Sequence, residues 1–299
     1  MEKGKTKDSV SDKVFYVVNG LFLFFCLVVV ALPLINVISQ SFSSPQAVIA
    51  GRVYLWPVDF NVNAYKRIFT TKLLMIGYRN SFLYTFVGTL INIVMTVAIA
   101  YPLSRKDFVG RNIITGLFVF TMIFSAPLIP TYLTIKNLGL LDTFWVMVLP
   151  GAISVYNMII ARTFFQSTIP AELFEAAELD GASDIRVLTS VILPLSKPIL
   201  AVLVLYYAVG HWNSYFDGMI YLNTETKFPL QVVLRNILAS VETIEQMVSS
   251  IDIADAQKLA YIEVMKYAII VFGSIPVIIL YPFVQKYFVK GVMIGSVKG

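Results

Sequence analysis

The chain has very little of what builds a reactive centre. Its 299 residues include one cysteine, Cys26, and one histidine, His211. A lone cysteine inside an apolar run rules out a disulfide framework and a Cys/His metal cluster. A single histidine leaves no basis for a His-based metal site and argues against a Ser-His-Asp triad. Charge is scarce as well: 14% of residues are charged, while 58% are hydrophobic. Soluble domains carry roughly a quarter charged residues. The net charge of +5 does not point to nucleic acid, because the basic residues lie at the ends of apolar runs, where headgroups and topology account for them. Internal repeats and low-complexity tracts are absent too.

What is present is long apolar sequence. A spanning helix needs about 20 mostly apolar residues. Six stretches meet this: 15–38, 80–103, 112–135, 144–165, 197–221 and 263–285. Prolines inside them, among them Pro33, Pro127, Pro130, Pro150 and Pro276, are compatible with packed membrane helices, where neighbours can satisfy the freed carbonyls. Unbroken runs of this length exclude barrel strands, which alternate and are about half as long. The first run follows Lys3, Lys5, Lys7 and Lys13. It is longer than a signal-peptide core and lacks a small-residue cleavage pattern, so an uncleaved anchor is expected.

The distribution of Lys and Arg orients the spans. With the N-terminus inside, inner segments carry Arg105, Lys106, Arg111, Arg162, Arg186, Lys197, Lys286 and Lys290 besides the N-terminal lysines, a bias in the sense of the positive-inside rule. The expected organisation is therefore an all-α integral membrane protein with both termini cytosolic. It comprises a tail of residues 1–14, a six-helix domain over 15–285 and a second tail over 286–299. Two long outer segments, 39–79 and 222–262, each hold a helical pattern. The first centres on Tyr65, Ile68 and Phe69; the second is an amphipathic stripe through Leu230, Val233, Leu234, Ile237 and Val241.

The polar break at 166–196, between spans four and five, carries the functional signal. It contains Glu175, Ala176, Ala177, Glu178, Leu179, Asp180 and Gly181, and then, after nine residues, Val191, Ile192, Leu193 and Pro194. Pro170 suits a first helical turn, and Glu172 places negative charge at the positive end of a helix. Leu173, Ala176 and Ala177 share a face on which alanine permits close approach of another backbone. Gly181 can close the helix in the left-handed conformation, and Ser183 can cap a second helix. The competing reading is an ordinary amphipathic loop helix, which Glu-Ala-Ala alone would not exclude.

With that spacing, the chain resembles the membrane permeases of ABC importers, and within them the carbohydrate-uptake branch, similar to the second permease of maltose-type systems. Further matching features are Tyr78-Arg79-Asn80-Ser81, Tyr101-Pro102-Leu103-Ser104-Arg105 and the tail from Gly291 to Gly299. Val191 departs conservatively from the isoleucine usual in the family. The resemblance implies a type I importer permease fold in a bacterial inner membrane. It also implies a second permease, two ATPase subunits, an extracellular solute-binding protein and a sugar or oligosaccharide cargo. Glu175, Ala176, Ala177, Asp180, Gly181, Leu193 and Pro194 would couple to the ATPase, and Gly295, Ser296 and Lys298 of the tail would reach toward it.

The chain itself is not expected to be an enzyme. Gly4-Lys5-Thr6 echoes the end of a phosphate-binding loop but lacks the upstream glycine and strand that loop requires, so ATP and Mg belong to partner subunits. Polar residues in spans four and five form a candidate substrate pathway: Tyr156, Asn157, His211, Trp212, Asn213, Tyr215 and Asp217. Aromatic faces suit sugar C–H surfaces, and amide and carboxylate groups suit hydroxyls; interhelical hydrogen bonding is the alternative. Two other classes remain in view. A stand-alone secondary transporter would show repeated halves and ion-coupling groups, and a membrane enzyme would show clustered acids. Among ABC permeases, those for amino acids or peptides share the elbow.

Overall fold

The computed structural model describes residues 9–248 and 253–295, and every regular element among them is helical. In chain order these are α1 (Val10–Ser41), α2 (Pro45–Ile49), α3 (Asn63–Thr70), α4 (Lys72–Ser104), α5 (Arg111–Ile123), α6 (Leu128–Asn137) and α7 (Val155–Thr168). There follow α8 (Ala171–Leu179), α9 (Asp184–Val187), α10 (Leu193–Leu195), α11 (Lys197–Trp212), α12 (Tyr215–Tyr221), α13 (Leu230–Val248) and α14 (Ile253–Gly295). The chain divides into two units, one of residues 1–70 with 238–272, the other of 71–237 with 273–299.

In the first unit α1 has a long apolar middle, with no residue of its most hydrophobic window buried. Such a surface is untenable in water and suited to lipid. Its polar C-terminal end is sewn to the following segment: Asn36 donates to the Tyr54 carbonyl at 2.8 Å and Ser39 to that of Leu55 at 2.7 Å. The Phe42 ring stacks on Tyr65 at 4.7 Å, and the Tyr65 hydroxyl donates to Ser41 at 2.8 Å.

The second unit is built on α4, which packs against α7 and α11. Its elbow-side core joins Ala100, Tyr101 and Leu103 of α4 to Met158, Ala161 and Phe165 of α7 and to Ile199, Leu203 and Tyr207 of α11. At its other end α4 holds the segment 223–230. Asn80 donates to the carbonyls of Thr226 and Phe228, Tyr84 to that of Lys227, and the Leu230 N–H to Ser81.

The expectation of an all-helical membrane protein with six spans holds in part. Among the described residues three helices are long and apolar enough to cross a bilayer, within α1, α4 and α14, and up to five when two bent helix pairs are counted as spans. The expected span 112–135 breaks between α5 and α6 with a bend of 113°. Pro127 lacks a donor there and disfavours helix at Ala126, while Pro130 sits in the first turn of α6, where a missing N–H leaves no bond unmade. Over 144–165 the chain forms a short 3₁₀ turn, Phe144–Met147, then irregular backbone through Pro150-Gly151 before α7. Fourteen residues of α7 rise about 21 Å, short of the ~30 Å hydrocarbon core. Over 197–221 the helix stops at Trp212 and restarts at Tyr215. The short helix anticipated near Tyr65 is α3, and the amphipathic stripe from Leu230 is the start of α13, with Leu230, Val233 and Leu234 buried.

Candidate functional site

Two regions of the second unit gather the residues singled out by sequence. The first is the elbow. Its helix α8 follows Pro170, whose carbonyl accepts from the Leu173 N–H. It closes as the glycine suggested: Gly181 has φ +68°, and the Ala182 N–H donates to the Ala177 carbonyl at 2.9 Å, a Schellman closure. Ser183 caps α9 by accepting from the Arg186 N–H. The backbone then widens into a π-turn over Leu188–Ile192, with the Leu193 N–H donating to the Leu188 carbonyl. Pro194 explains the widening, since its ring would collide with the carbonyl four residues back in a regular helix. A bend of 84° then leads into α11.

The faces of the elbow divide cleanly. Phe174, Ala177, Ala182, Leu188 and Val191 pack against the core formed by Phe165, Ile169, Val187 and Ile192. Glu175, Ala176, Asp180, Gly181 and Pro194 are exposed and Leu193 is half-buried. Leu179 and Ile185 are 91% and 75% exposed, so the outward surface combines apolar tips with small Ala176 and Gly181 and the carboxylates of Glu175 and Asp180.

The loop joining α4 to α5 lies beneath α8. Arg105 donates twice to Asp107, at 3.0 and 3.1 Å, and its guanidinium sits over the Phe174 ring at 4.6 Å. Hydrogen bonding to Arg105 holds the Asp107 carboxyl below the usual range. Arg162 donates to the Leu103 carbonyl and Gln166 to that of Ser104, tying α7 to the end of α4.

The second region is a seam between antiparallel α4 and α11. His211 lies over Gly88, the middle residue of α4; a β-carbon there would fall on the imidazole ring. One turn further along α4, Asn92 accepts from His211 Nε2 at 2.6 Å and donates to the Gly151 carbonyl at 2.7 Å. Since the amide nitrogen of Asn92 serves Gly151, its oxygen is the acceptor and His211 Nε2 carries the proton. Another turn along, the hydroxyls of Thr96 and Tyr207 meet at 2.6 Å, and the Ser154 N–H donates to Tyr207.

Beside the seam lies a cavity of about 300 Å3 that brings together Asn157, His211 and Asp217, with Ser154, Tyr207 and Ser214 in its lining. The other candidate pathway residues lie elsewhere. Trp212 is buried, its indole N–H donating to the Gly273 carbonyl at 3.0 Å and its ring edge-on to Tyr78. Tyr156 is 55% exposed. Asn213 is exposed at the end of α11, and the Arg235 guanidinium covers the Tyr215 ring at 5.3 Å. In the tail, Gly295 is the last residue of α14, while Ser296 and Lys298 lie outside the described residues.

Sequence reading missed Gly88, Asn92 and Thr96, although their spacing of four inside an apolar run places them on one face. It also missed a tie at the far end of α4. Asp142, at φ +55°, accepts from the N–H groups of Asn223 and Thr224, from the Thr224 hydroxyl and, at 2.7 Å, from Lys227 Nζ. The Lys227 and Thr224 bonds hold its carboxyl well below the ordinary range.

A helical protein with long helices of exposed apolar surface, an exposed elbow with small residues and a polar cavity on the helix that leaves it has the build of a transport permease. The chain belongs to the family described as "Binding-protein-dependent transport system inner membrane component", whose profile matches residues 74–294. It is 40% identical over 293 residues to the "Polygalacturonan/rhamnogalacturonan transport system permease protein YtcP" of Bacillus subtilis (strain 168), covering 98% of this chain and 100% of that protein. Protein LplC of the same organism is 41% identical, over 97% of this chain and 96% of its own length. The crystal structure of a bacterial ABC transporter involved in the import of the acidic polysaccharide alginate contains a chain 38% identical, with TM-score 0.84 over 95% of this chain and 100% of that one. The fold is thus that of the type I ABC importer permeases, and the protein is a membrane transport component rather than an enzyme.

Proposed function

We propose that the chain is one of two permease subunits of an ATP-driven importer, providing half of the pathway for a sugar or oligosaccharide delivered by an extracellular binding protein. The observation that carries this reading is its identity along nearly the whole chain with permeases whose names specify saccharide transport. Energy would come from two separate ATPase subunits that bind ATP and Mg. The exposed face of α8, with Ala176, Asp180 and Gly181 flanked by Leu179 and Ile185, would seat in them, and the tail at Gly295, Ser296 and Lys298 would approach them. Asn157, His211 and Asp217 would face the cargo in the cavity, while Trp212 would position α11.

The proposed topology has six crossings, both termini and the elbow cytosolic, residues 15–285 as the permease domain and the bent segments completed by partner helices. The Lys and Arg asymmetry supports this orientation. An apolar groove between α4 and α11 would receive the second permease. It is lined by Phe82, Phe86, Leu90 and Val204, and the hydroxyls of Thr85 and Thr89 are buried there without a hydrogen-bond partner. A helix can supply a partner to such groups and an acyl chain cannot.

Reconstitution tests the assignment. Proteoliposomes holding both permeases, the ATPase and the binding protein should accumulate oligosaccharide only with ATP inside. Uptake by this chain alone, driven by an ion gradient, would overturn the reading in favour of a secondary transporter.

A further inference from the structure

Beneath the elbow, the loop joining α4 to α5 opens into a cavity of about 520 Å3. Arg105, Lys106 and Arg111 line it, against the carboxylates of Asp107 and Glu175. Asp107 is already engaged by Arg105. That leaves exposed Lys106 and half-buried Arg111 facing a single further acid. Arg111 uses Nη1 on the Arg105 carbonyl at 3.1 Å, and a guanidinium has five N–H donors in all. The cavity is thus a cationic recess whose donors exceed its internal acceptors.

Its surroundings identify what fits. From Arg111 the helix α5 presents a stripe of exposed apolar side chains at helical spacing, Ile113, Leu117 and Phe120, and Val109 at the lip of the loop is 92% exposed. A cationic recess at the foot of an exposed apolar stripe matches a molecule with an anionic head and hydrocarbon chains. A freely diffusing phosphate would have no use for the stripe. Basic pockets at the membrane boundary attract anionic headgroups, whose surface potential favours each Lys or Arg near it.

We propose that Lys106 and Arg111 of this recess bind the phosphate-bearing headgroup of an anionic phospholipid, with acyl chains along α5. The site shares Phe174 and Glu175 with the elbow, so the bound headgroup braces the underside of α8 while its outward face stays available. The proposal rests on the reading of α8 as the coupling element, yet lipid occupancy can be measured apart from transport.

The test uses the complete complex in nanodiscs of phosphatidylcholine with or without phosphatidylglycerol. Spin-labelled phosphatidylglycerol reports lipid contact, and oligosaccharide-stimulated ATPase activity reports coupling. Wild type should prefer phosphatidylglycerol over phosphatidylcholine, and K106Q with R111Q together should reduce that preference by about thirtyfold. K106Q alone should give a smaller loss, and R111K should retain most of the preference, which separates charge from any folding defect. Undiminished preference in the double variant would overturn the site. Competition by soluble glycerol phosphate as strong as that by the lipid would overturn the assignment to lipid. If lipid preference responds as expected while no saccharide stimulates the ATPase in any membrane, the lipid site stands and the sugar-permease reading fails.

Discussion

At the scale of single residues, the contact of His211 on Gly88 leaves less room for a β-carbon than there is at any other glycine among the described residues from Gly20 to Gly273. Space rather than hydrogen bonding dominates there. Interhelical hydrogen bonds in membranes average about 0.6 kcal/mol, whereas forcing an extra carbon into a packed site costs typically 1–3 kcal/mol. Gly88→Ala should therefore destabilise the purified protein by about 1–3 kcal/mol, more than Asn92→Ala does. In a His211→Ala background most of the Gly88→Ala cost should vanish, because the clashing ring is gone. Thermal unfolding of the four variants checks this, and additive effects would contradict it.

Asp142 gives a second prediction at this scale, and its sign follows from the lowered pKa. A carboxylate whose folded-state pKa lies below the unfolded value contributes stability that is complete above about pH 4. That stability is lost as pH falls through the folded value. Wild type should thus exceed Asp142→Asn in thermal midpoint at neutral pH by a few degrees, with the gap nearly constant down to about pH 4 and narrowing below it. A gap independent of pH would assign the effect to hydrogen-bond geometry instead. Neither pairing was legible in the sequence, although His211 itself stands out there. His211 and Asn92 stand 119 positions apart and Lys227 and Asp142 85 apart, and nothing in the local pattern of either announces its partner.

At the scale of elements the elbow was legible, because its signals are local. A proline before the helix, a glycine after it and a serine cap each act within a turn, and α8, Gly181 and Ser183 follow them. The breaks at 124–127 and 213–214 were harder to read, since hydropathy runs straight through both and registers apolarity, not the path of the backbone. The π-turn before Pro194 has the same origin: the proline is plain in the sequence, while the way the preceding helix yields to it is set by packing. Gly181→Val should cost about 1–2 kcal/mol locally, the penalty of a left-handed conformation for a side chain. It should also reduce transport and ATPase stimulation while membrane insertion persists. Ala177→Trp, which overfills the half-buried underside of α8, should uncouple similarly. Normal assembly and transport in both variants would refute a coupling role.

At the scale of the whole molecule, composition and run length determined that the chain belongs in a membrane, and the spacing of the elbow pointed to its family. The number of independent spans was not determined, because the bent pairs depend on which surfaces a partner covers. One architectural feature has a mechanical meaning. The elbow bend at Ser196 and the cavity residue His211 sit at opposite ends of a single helix, about 22 Å apart at 1.5 Å per residue. A pivot at that bend would make α11 a lever arm. A tilt of about 10° there sweeps His211 through about 4 Å, more than the length of a hydrogen bond. Such a stroke is large enough to part His211 from Asn92 and reshape the cavity wall without unfolding a turn of helix.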